Sequence, residues 1–263
     1  MADKKTPVLT VTGVQTLGNR CLQADLAAFN HRSVYGVSII TGVVTEGLNP
    51  LEAEILLPGT AITRQFGEVF RNFDIKACKI GSLPNLESII AVERACSDGA
   101  VGPVVLDPFL FNENHKLILD EQTLLQYVKR LLPITSVITP SVEEAEALVG
   151  FPINSDEDLI HAANELRGSG VRNVFITGEH KSENPQVIHD YVLLQNGDDF
   201  WLTGEYIKDV TNVGAGDTLS ALVAAGLAKN DNVEMALRDA KEFVTVALKS
   251  AVQVSKAVKA LSY

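Results

Sequence analysis

Short runs of β-branched apolar residues alternate with amphipathic segments along the chain of 263 residues, and this alternation constrains the fold more than any other feature. Apolar runs of this length predict buried strands, and apolar residues three and four apart predict helices. Strands are expected over 7–13, 35–45, 75–81, 102–108, 135–140 and 172–178. Helices are expected over 22–31, 62–73, 85–96, 120–133, 141–150, 156–170, 215–229 and 232–252. The sequence therefore predicts an α/β fold, with a single domain over 1–263 and a central, mostly parallel sheet covered by helices on both faces.

Two local patterns refine this expectation. A hairpin is predicted over 187–204, because Asn196 and Gly197 form a turn dipeptide between two strand-like runs. Helical spacing also predicts an apolar face on two helices, made of Leu22, Leu26 and Phe29 in the first and of Leu219, Leu222, Val223, Gly226 and Leu227 in the one that begins near residue 215.

The charge balance limits the classes of partner. The net charge is −11, and lysine and arginine are scattered singly or in pairs. Such a chain repels nucleic acid and anionic membranes, so neither is expected as a partner. Three widely spaced cysteines without a C-x-x-C pair indicate free thiols in a reducing compartment. The first residues, "MADKKTPVLT", contain no apolar signal core, and a cytoplasmic protein is expected.

Candidate chemistry is sought where the strands end, because ligands of open parallel sheets bind at the carboxyl edge. Asp107 follows one strand, Thr139 and Pro140 follow another, and Thr177 and Gly178 follow a third. A small-molecule substrate is expected at this edge.

The segment "NVGAGDTL" (212–219) is the fourth such place. Gly214, Ala215 and Gly216 stand at or just before a helix start, where unpaired amides and small residues favour an anion. Asp217 lies in the same turn, and it is either a charge that stabilises the helix or a general base that deprotonates a hydroxyl during phosphoryl transfer. No Lys-Ser/Thr pair and no third glycine follow, so neither a Walker A loop nor a dinucleotide fingerprint is present.

Two further acids have both a structural and a chemical interpretation. Glu144 follows Ser141 by three residues, the spacing of a capping box. Asp107 precedes Pro108, a combination typical of turns. Together with the anion loop, the same two carboxylates suit Mg²⁺ and ATP.

The whole chain resembles the ribokinase-like superfamily, a three-layer sandwich fold, and within it the vitamin kinase branch of pyridoxal kinases and hydroxymethylpyrimidine (phosphate) kinases. The resemblance rests on "LTVTGVQTLGNRCLQADLAAF", "KIGSL", "VVLDP", "VITPSVEEAEAL", "VGAGDTLSALVAAGLA" and "AKEFVTVALKSA", in the order of the family. It implies an ATP-dependent phosphotransferase that uses Mg²⁺, and it implies a homodimer, in which the segment "YGVSIITGVVTEG" either faces the partner or lies in the core.

The resemblance also implies roles for individual residues. Asp217 is the implied base, and the anion hole would be Gly214, Ala215 and Gly216. It implies that Thr177, Gly178, Val210 and Val213 contact ATP. It also implies that Asp107 and Glu144 lie at the metal. For the substrate it implies Gly13, Gln15, Asn19, Glu46 and Lys79.

The two groups of enzymes in this branch differ in the acceptor that they phosphorylate. Vitamin B6 is favoured, because pyridoxal kinases carry an aspartate at position 217 and a threonine at 177, and because Glu46 replaces the glutamine with which pyrimidine kinases read their ring. Hydroxymethylpyrimidine or its phosphate is the alternative. A non-catalytic ligand-binding homologue is a third reading, motivated by the altered loop 14–20 and by Ser141 in place of an asparagine.

Overall fold

A computed structural model describes residues 5–44, 54–112, 115–178, 187–207, 214–256 and 258–263. Its strands are β1 (Pro7–Gln15), β2 (Tyr35–Val44), β3 (Glu54–Leu56), β4 (Ala77–Ile80), β5 (Val104–Leu106), β6 (Val137–Ile138), β7 (Asn173–Ile176), β8 (Val187–Leu193), β9 (Asp199–Glu205), β10 (Val252–Gln253) and β11 (Lys259–Ala260). Its helices are α1 (Cys21–His31), α2 (Gly59–Asn72), α3 (Leu86–Cys96), α4 (Glu121–Leu131), α5 (Val142–Val149), α6 (Asp156–Gly168), α7 (Ala215–Ala228) and α8 (Val233–Lys249), with a 3₁₀ turn over Leu132–Ile134.

Nine of the strands form one sheet in the order β3-β2-β1-β4-β5-β6-β7-β8-β9. The six strands in the middle of this order, β2, β1, β4, β5, β6 and β7, run parallel. At the two ends of the sheet, β3, β8 and β9 pair antiparallel with their neighbours. The short strands β4 and β7 are buried at every position, as expected for parallel strands covered on both faces. The predicted mostly parallel sheet is confirmed.

Two helical layers cover this sheet. The apolar residues of α2 to α6 pack against one face in a single core cluster. Those of α1, α7 and α8 pack against the other face in a second cluster. The predicted three-layer α/β architecture is thereby confirmed. No helix in the described part of the chain is long and apolar enough to cross a membrane.

The predicted elements are all present, and the hairpin turns where Asn196 and Gly197 predicted it. The last helix is shorter than expected: it ends at Lys249, and residues 252–253 pair with 259–260 instead. The three cysteines are free and buried, as predicted.

The apolar face predicted for α1 is only partly correct, and the face predicted for α7 is buried together with the rest of that helix. In α1 the buried side carries Ala24, Asp25 and Ala28, while Leu26 is exposed over 37% of its surface. Helix α7 is not amphipathic, because every residue from 217 to 228 is buried. It is enclosed by β1, β4 and β5 on one side and by α1 and α8 on the other. A helix surrounded by other elements is apolar all round, so its spacing could not indicate a single inner face.

Candidate active site

Lys79 lies at the centre of a cluster of charges at the carboxyl edge of the sheet. Its side chain, near the end of β4, is completely buried. The Nζ atom lies 2.9 Å from Asp25 Oδ1, 3.1 Å from Asp217 Oδ1 and 3.4 Å from Asp107 Oδ2. These aspartates come from α1, from the first turn of α7 and from the end of β5. Three carboxylates thus share one ammonium group in a site shielded from water.

Asp25 is fully buried as well, and the Thr10 hydroxyl of β1 donates to its second oxygen at 2.5 Å. Burial raises the pKa of Asp25, and the charge of Asp217 adds to this, against the opposing effect of Lys79. Burial alone would lower the pKa of Lys79, but its aspartate neighbours outweigh it and hold that pKa well above the ordinary value. Lys79 is therefore permanently charged.

The start of α7 presents the amides that the sequence predicted. Gly214 is the N-cap residue, with a left-handed φ of +74°. The first bond inside the helix is donated by the Thr218 amide to the Gly214 carbonyl. Within the described residues, the preceding amides of Ala215 and Gly216 donate to no protein acceptor. These free donors, at the positive end of the helix, can hold an anion.

The two glycines of this turn serve different purposes. A Cβ at Gly214 would lie 2.1 Å from the Asn19 carbonyl oxygen, so this glycine is required by close packing as well as by its φ. At Gly216 a Cβ would meet no atom of the described residues within 4 Å, so the described part of the chain leaves the space beside it open. Asp217 is the next residue, and 8% of its side chain is exposed.

Asp217 uses its two oxygens differently. Oδ1 accepts a hydrogen bond from Lys79, whereas Oδ2 accepts none from the residues that the structure describes. A carboxylate with one oxygen held and the other without a hydrogen bond is suited to take a proton from a bound hydroxyl.

Asp107 and Glu144 lie near one another, but each already has partners. Ser220 donates to Asp107 Oδ2 at 2.9 Å. Glu144 Oε2 accepts from the amide and hydroxyl of Ser141, and Oε1 accepts from the Leu110 amide at 3.1 Å. The capping box predicted from the sequence is present at the start of α5. Burial, with Asp107 adding to it, raises the pKa of Glu144 to about 8, and burial likewise raises the pKa of Asp107.

The donor chemistry fits Mg²⁺ at this edge. Burial raises the pKa of both carboxyl groups, so both gain from a nearby cation, and carboxylate oxygens are the ligands that Mg²⁺ prefers. Among the described residues, however, no three acidic, histidine or cysteine side chains form a ready-made metal cage. Mg²⁺ usually keeps several waters and contacts substrate phosphates, so one or two carboxylates suffice. Asp107 and Glu144 as its partners stay a prediction.

The residues predicted to contact ATP are only partly described. Thr177 follows β7, and its hydroxyl donates to the Pro140 carbonyl at 3.3 Å. The amide of Gly178 donates to Asp190 at 3.1 Å, and a Cβ at Gly178 would meet nothing within 4 Å. Val210 and Val213 lie outside the described residues. The structure therefore shows open space at Gly178, and the nucleotide contacts remain predictions.

Three of the predicted substrate residues, Gly13, Gln15 and Asn19, lie in β1 or within four residues of its end. Gln15 is buried at this end, and the Gln23 side chain donates to its carbonyl at 2.6 Å. Asn19 donates to the Lys259 carbonyl at 3.1 Å. Gly13 lies within β1, and Glu46 lies outside the described residues. Lys79 is enclosed by carboxylates, so its predicted contact with the substrate is not seen in the structure and stays a prediction.

Asp25 is the functional residue that sequence reasoning missed. A signal was present, since Asp25 is three residues after Leu22 and four before Phe29, on the face predicted to be apolar. A charge in such a position needs a buried partner. Tyr263 was also missed: its hydroxyl lies 2.7 Å from the Thr218 hydroxyl, beside the start of α7.

Comparisons with known proteins agree with this arrangement. The sequence profile of the phosphomethylpyrimidine kinase family matches residues 18–262. A hydroxymethylpyrimidine/phosphomethylpyrimidine kinase of Haemophilus influenzae is 36% identical over 92% of this chain and 90% of its own. The chain belongs to the phosphomethylpyrimidine kinase family.

Relatives that act on vitamin B6 are found beside the pyrimidine kinases of this family. A pyridoxine kinase of Bacillus subtilis is 30% identical over 95% of this chain and 93% of its own. The structure of a Bacillus subtilis pyridoxal kinase with ADP matches with a TM-score of 0.88 and 28% identity, covering 98% of this chain and 97% of that one. The predicted vitamin kinase branch is confirmed, and the protein is a kinase that phosphorylates a hydroxyl group.

Proposed function

We propose that this kinase transfers a phosphoryl group from ATP to hydroxymethylpyrimidine or to its phosphate. The observation that carries the reaction is the position of Asp217: Lys79 donates to its Oδ1, its Oδ2 accepts no hydrogen bond from the described residues, and it lies in the same helical turn as the free amides of α7. A base and an anion site in one helical turn are what phosphoryl transfer to an alcohol requires. ADP in the Bacillus subtilis pyridoxal kinase structure supports ATP as the donor.

The first turn of α7 would carry out the transfer. Asp217 takes the proton of the attacking hydroxymethyl group, while the Ala215 and Gly216 amides stabilise the charge on the migrating phosphoryl group. Mg²⁺, near Asp107 and Glu144, would neutralise charge on the triphosphate. The nucleotide would lie along Thr177 and Gly178, and the ring beside the end of β1. The site needs no cluster of basic side chains, because oriented amides replace them.

The choice of acceptor follows the relatives. The Haemophilus influenzae enzyme shares 36% identity with the chain, against 30% for the Bacillus subtilis pyridoxine kinase, and the family profile is that of phosphomethylpyrimidine kinases. The sequence had favoured vitamin B6, and the relatives favour the pyrimidine instead. The preference for vitamin B6 rested on positions 46, 177 and 217, and three positions are too few to outweigh similarity over the whole chain.

Vitamin B6 remains the second candidate on one observation. The overall structure matches that of a pyridoxal kinase with a TM-score of 0.88 over 98% of the chain. Asp217 and Thr177 agree with it, as the sequence resemblance implied.

A panel of acceptors tests the proposal. ADP release is measured with hydroxymethylpyrimidine, its monophosphate, pyridoxal and pyridoxine, each with Mg²⁺ and with EDTA. The proposal expects the highest kcat/KM with one of the two pyrimidines and loss of activity in EDTA. A higher kcat/KM with pyridoxal or pyridoxine would assign vitamin B6, and no ADP above the acceptor-free rate would support a non-catalytic homologue.

A substitution at position 46 examines the acceptor independently. Glu46→Gln restores the side chain that pyrimidine kinases use to read the ring amino group. It should raise kcat/KM for hydroxymethylpyrimidine and leave that for pyridoxal unchanged or lower. An equal change for both rings would contradict a role of this position in reading the pyrimidine.

A further inference from the structure

We propose that Lys79 and Asp25 form a positioning pair for the base, in which Asp25 anchors Lys79 and Lys79 holds Oδ1 of Asp217 so that Oδ2 faces the acceptor hydroxyl. This inference rests on the proposed phosphoryl transfer. Asp25 would act through Lys79, and Lys79 through Asp217, a role that takes the place of the substrate contact predicted for Lys79 from the sequence.

The geometry uses the donors of Lys79 fully. An ammonium group has three N–H donors. Two are directed at Asp25 and Asp217, at 2.9 and 3.1 Å, and Asp107 lies 3.4 Å from the same nitrogen. The ammonium therefore cannot rotate away without losing a charge-assisted bond in a dry site, where such bonds are strong.

The anchor is rigid because each member lies on a regular element. Lys79 is on β4, Asp25 is on α1 and Asp217 is on α7. Asp25 is itself held by Thr10 of β1, so its two oxygens are both engaged. A Cβ at Gly81 would lie 3.1 Å from Lys79 Nζ, and the absence of a side chain there leaves room for the ammonium. Side chains supported in this way hold a reacting group more precisely than those on loops.

Stability alone does not explain this cluster. Buried ion pairs seldom stabilise a fold more than apolar residues of the same size, because desolvation offsets the attraction. Here one lysine faces three aspartates, within 2.9 to 3.4 Å, so the carboxylates outnumber the ammonium group. Such an arrangement disfavours folding, and its presence points to a use. Holding Asp217 aligned is a use that the distances support.

The test compares two variants by steady-state kinetics with the best acceptor of the panel. Lys79→Met keeps the length of the side chain without its charge, and Asp25→Asn keeps the shape of the anchor without its charge. We expect kcat to fall about 100-fold in the first, at the lower end of the range that general-base catalysis contributes, and about tenfold in the second, because Asp25 acts only through Lys79. The KM for ATP should stay within about twofold, since only the transition state loses an interaction.

The double variant tests the proposed order of action. If Asp25 works only through Lys79, Asp25→Asn/Lys79→Met should be no slower than Lys79→Met alone. A double variant whose kcat falls by the product of the two single effects would overturn the anchoring role.

Controls separate positioning from folding. Arg130 of α4 forms an ion pair with Glu93 of α3 at 3.2 Å. Arg130→Met removes this pair and should lower thermal stability without changing kcat. Thermal shift on adding ADP shows which variants are folded. Should Lys79→Met fail to fold, Asp25→Asn and Thr10→Val, which removes the hydrogen bond to Asp25, carry the test with kcat as readout.

The outcomes distinguish the two proposals. If the wild-type protein releases no ADP with any acceptor, the proposed function fails and the inference fails with it. If the wild-type protein is active and folded Asp25→Asn and Lys79→Met retain its kcat, only the inference fails. If the thermal stability of these two variants falls while their kcat is unchanged, the cluster has a structural role only.

Discussion

At the scale of single residues, the environment of each oxygen decides what a carboxylate can do. Asp217 and Asp25 bind the same ammonium group, yet Asp25 has both oxygens engaged and no exposed surface, while Asp217 keeps one oxygen open. Asp25 is thus suited to anchor a neighbouring side chain, and Asp217 is suited to the proposed role of base. Their residue type is the same, and only their surroundings separate the roles.

Asp217→Asn should abolish most of the transfer while leaving nucleotide binding intact. The amide cannot accept the hydroxyl proton, and loss of a general base costs roughly two to four orders of magnitude in kcat. The measurement is ADP release, with ADP binding followed by thermal shift. Glu121→Gln, which removes an acid from the first turn of α4, is the matched control and should leave kcat unchanged. Near-normal turnover by Asp217→Asn would remove the base assignment.

At the scale of elements, the start of α7 combines a helix cap with an anion site. The left-handed Gly214 lets the chain enter the helix directly against the Asn19 carbonyl. The amides of the next two residues have no acceptor in the described chain, and no described atom lies within 4 Å of a Cβ at Gly216. The same geometry that begins the helix therefore prepares it for a phosphoryl group.

Two glycine-to-alanine variants should behave in opposite ways. Gly214→Ala forces a Cβ against Asn19 at a positive φ and should lower the free energy of unfolding by about 1–3 kcal/mol. Gly216→Ala meets no atom and replaces glycine inside a helix, which should raise that free energy by about 0.5–1 kcal/mol. Yet Gly216→Ala should lower kcat, because its methyl group enters the space left for the phosphoryl group. Urea unfolding and ADP release measure the two effects, and an active Gly216→Ala would contradict the anion hole.

The start of α5 makes stability depend on pH in an unusual direction. Burial raises the pKa of Glu144 from 4.5 to about 8, so between these values the folded protein holds a proton that the unfolded chain has lost. The free energy of unfolding should therefore fall as pH rises through this interval. Urea unfolding at several pH values in EDTA measures it, and Glu144→Gln should flatten the curve. A wild-type stability that rises from pH 5 to 8 with an unchanged slope in Glu144→Gln would contradict the raised pKa.

At the scale of the whole molecule, the parallel sheet brings strand ends to one edge, and the antiparallel strands close its two ends. The strand β3 is the last of the described strands at one end, and its Ile55 and Leu56 are exposed over 66% and 40% of their surfaces. Exposed apolar residues on an open strand edge favour pairing with another chain. The segment "YGVSIITGVVTEG", which the sequence placed either against a partner or in the core, consists mainly of β2, and β2 lies inside the sheet between β1 and β3.

The predicted homodimer can therefore be tested at β3. Ile55→Asp should shift the protein toward the monomer in light scattering after size exclusion, because burying the new charge in an interface is costly. Val254→Asp, at a residue 65% exposed far along the chain, is the control and should leave the oligomeric state unchanged. A wild-type protein that is monomeric at every concentration would refute the dimer.

The amino-acid sequence alone was enough to predict the helices and parallel strands in their order, the hairpin turn, the caps of α5 and α7 and the family. These depend on periodicity and on turn and cap chemistry, which act over a few residues. The burial of α7 on all sides is visible only in the folded chain, and so is the contact of Lys79 with Asp25 and Asp217, which stand 54 and 138 residues away from it in sequence. Contacts of this kind arise when strand ends and helix starts converge, and no local pattern carries that information.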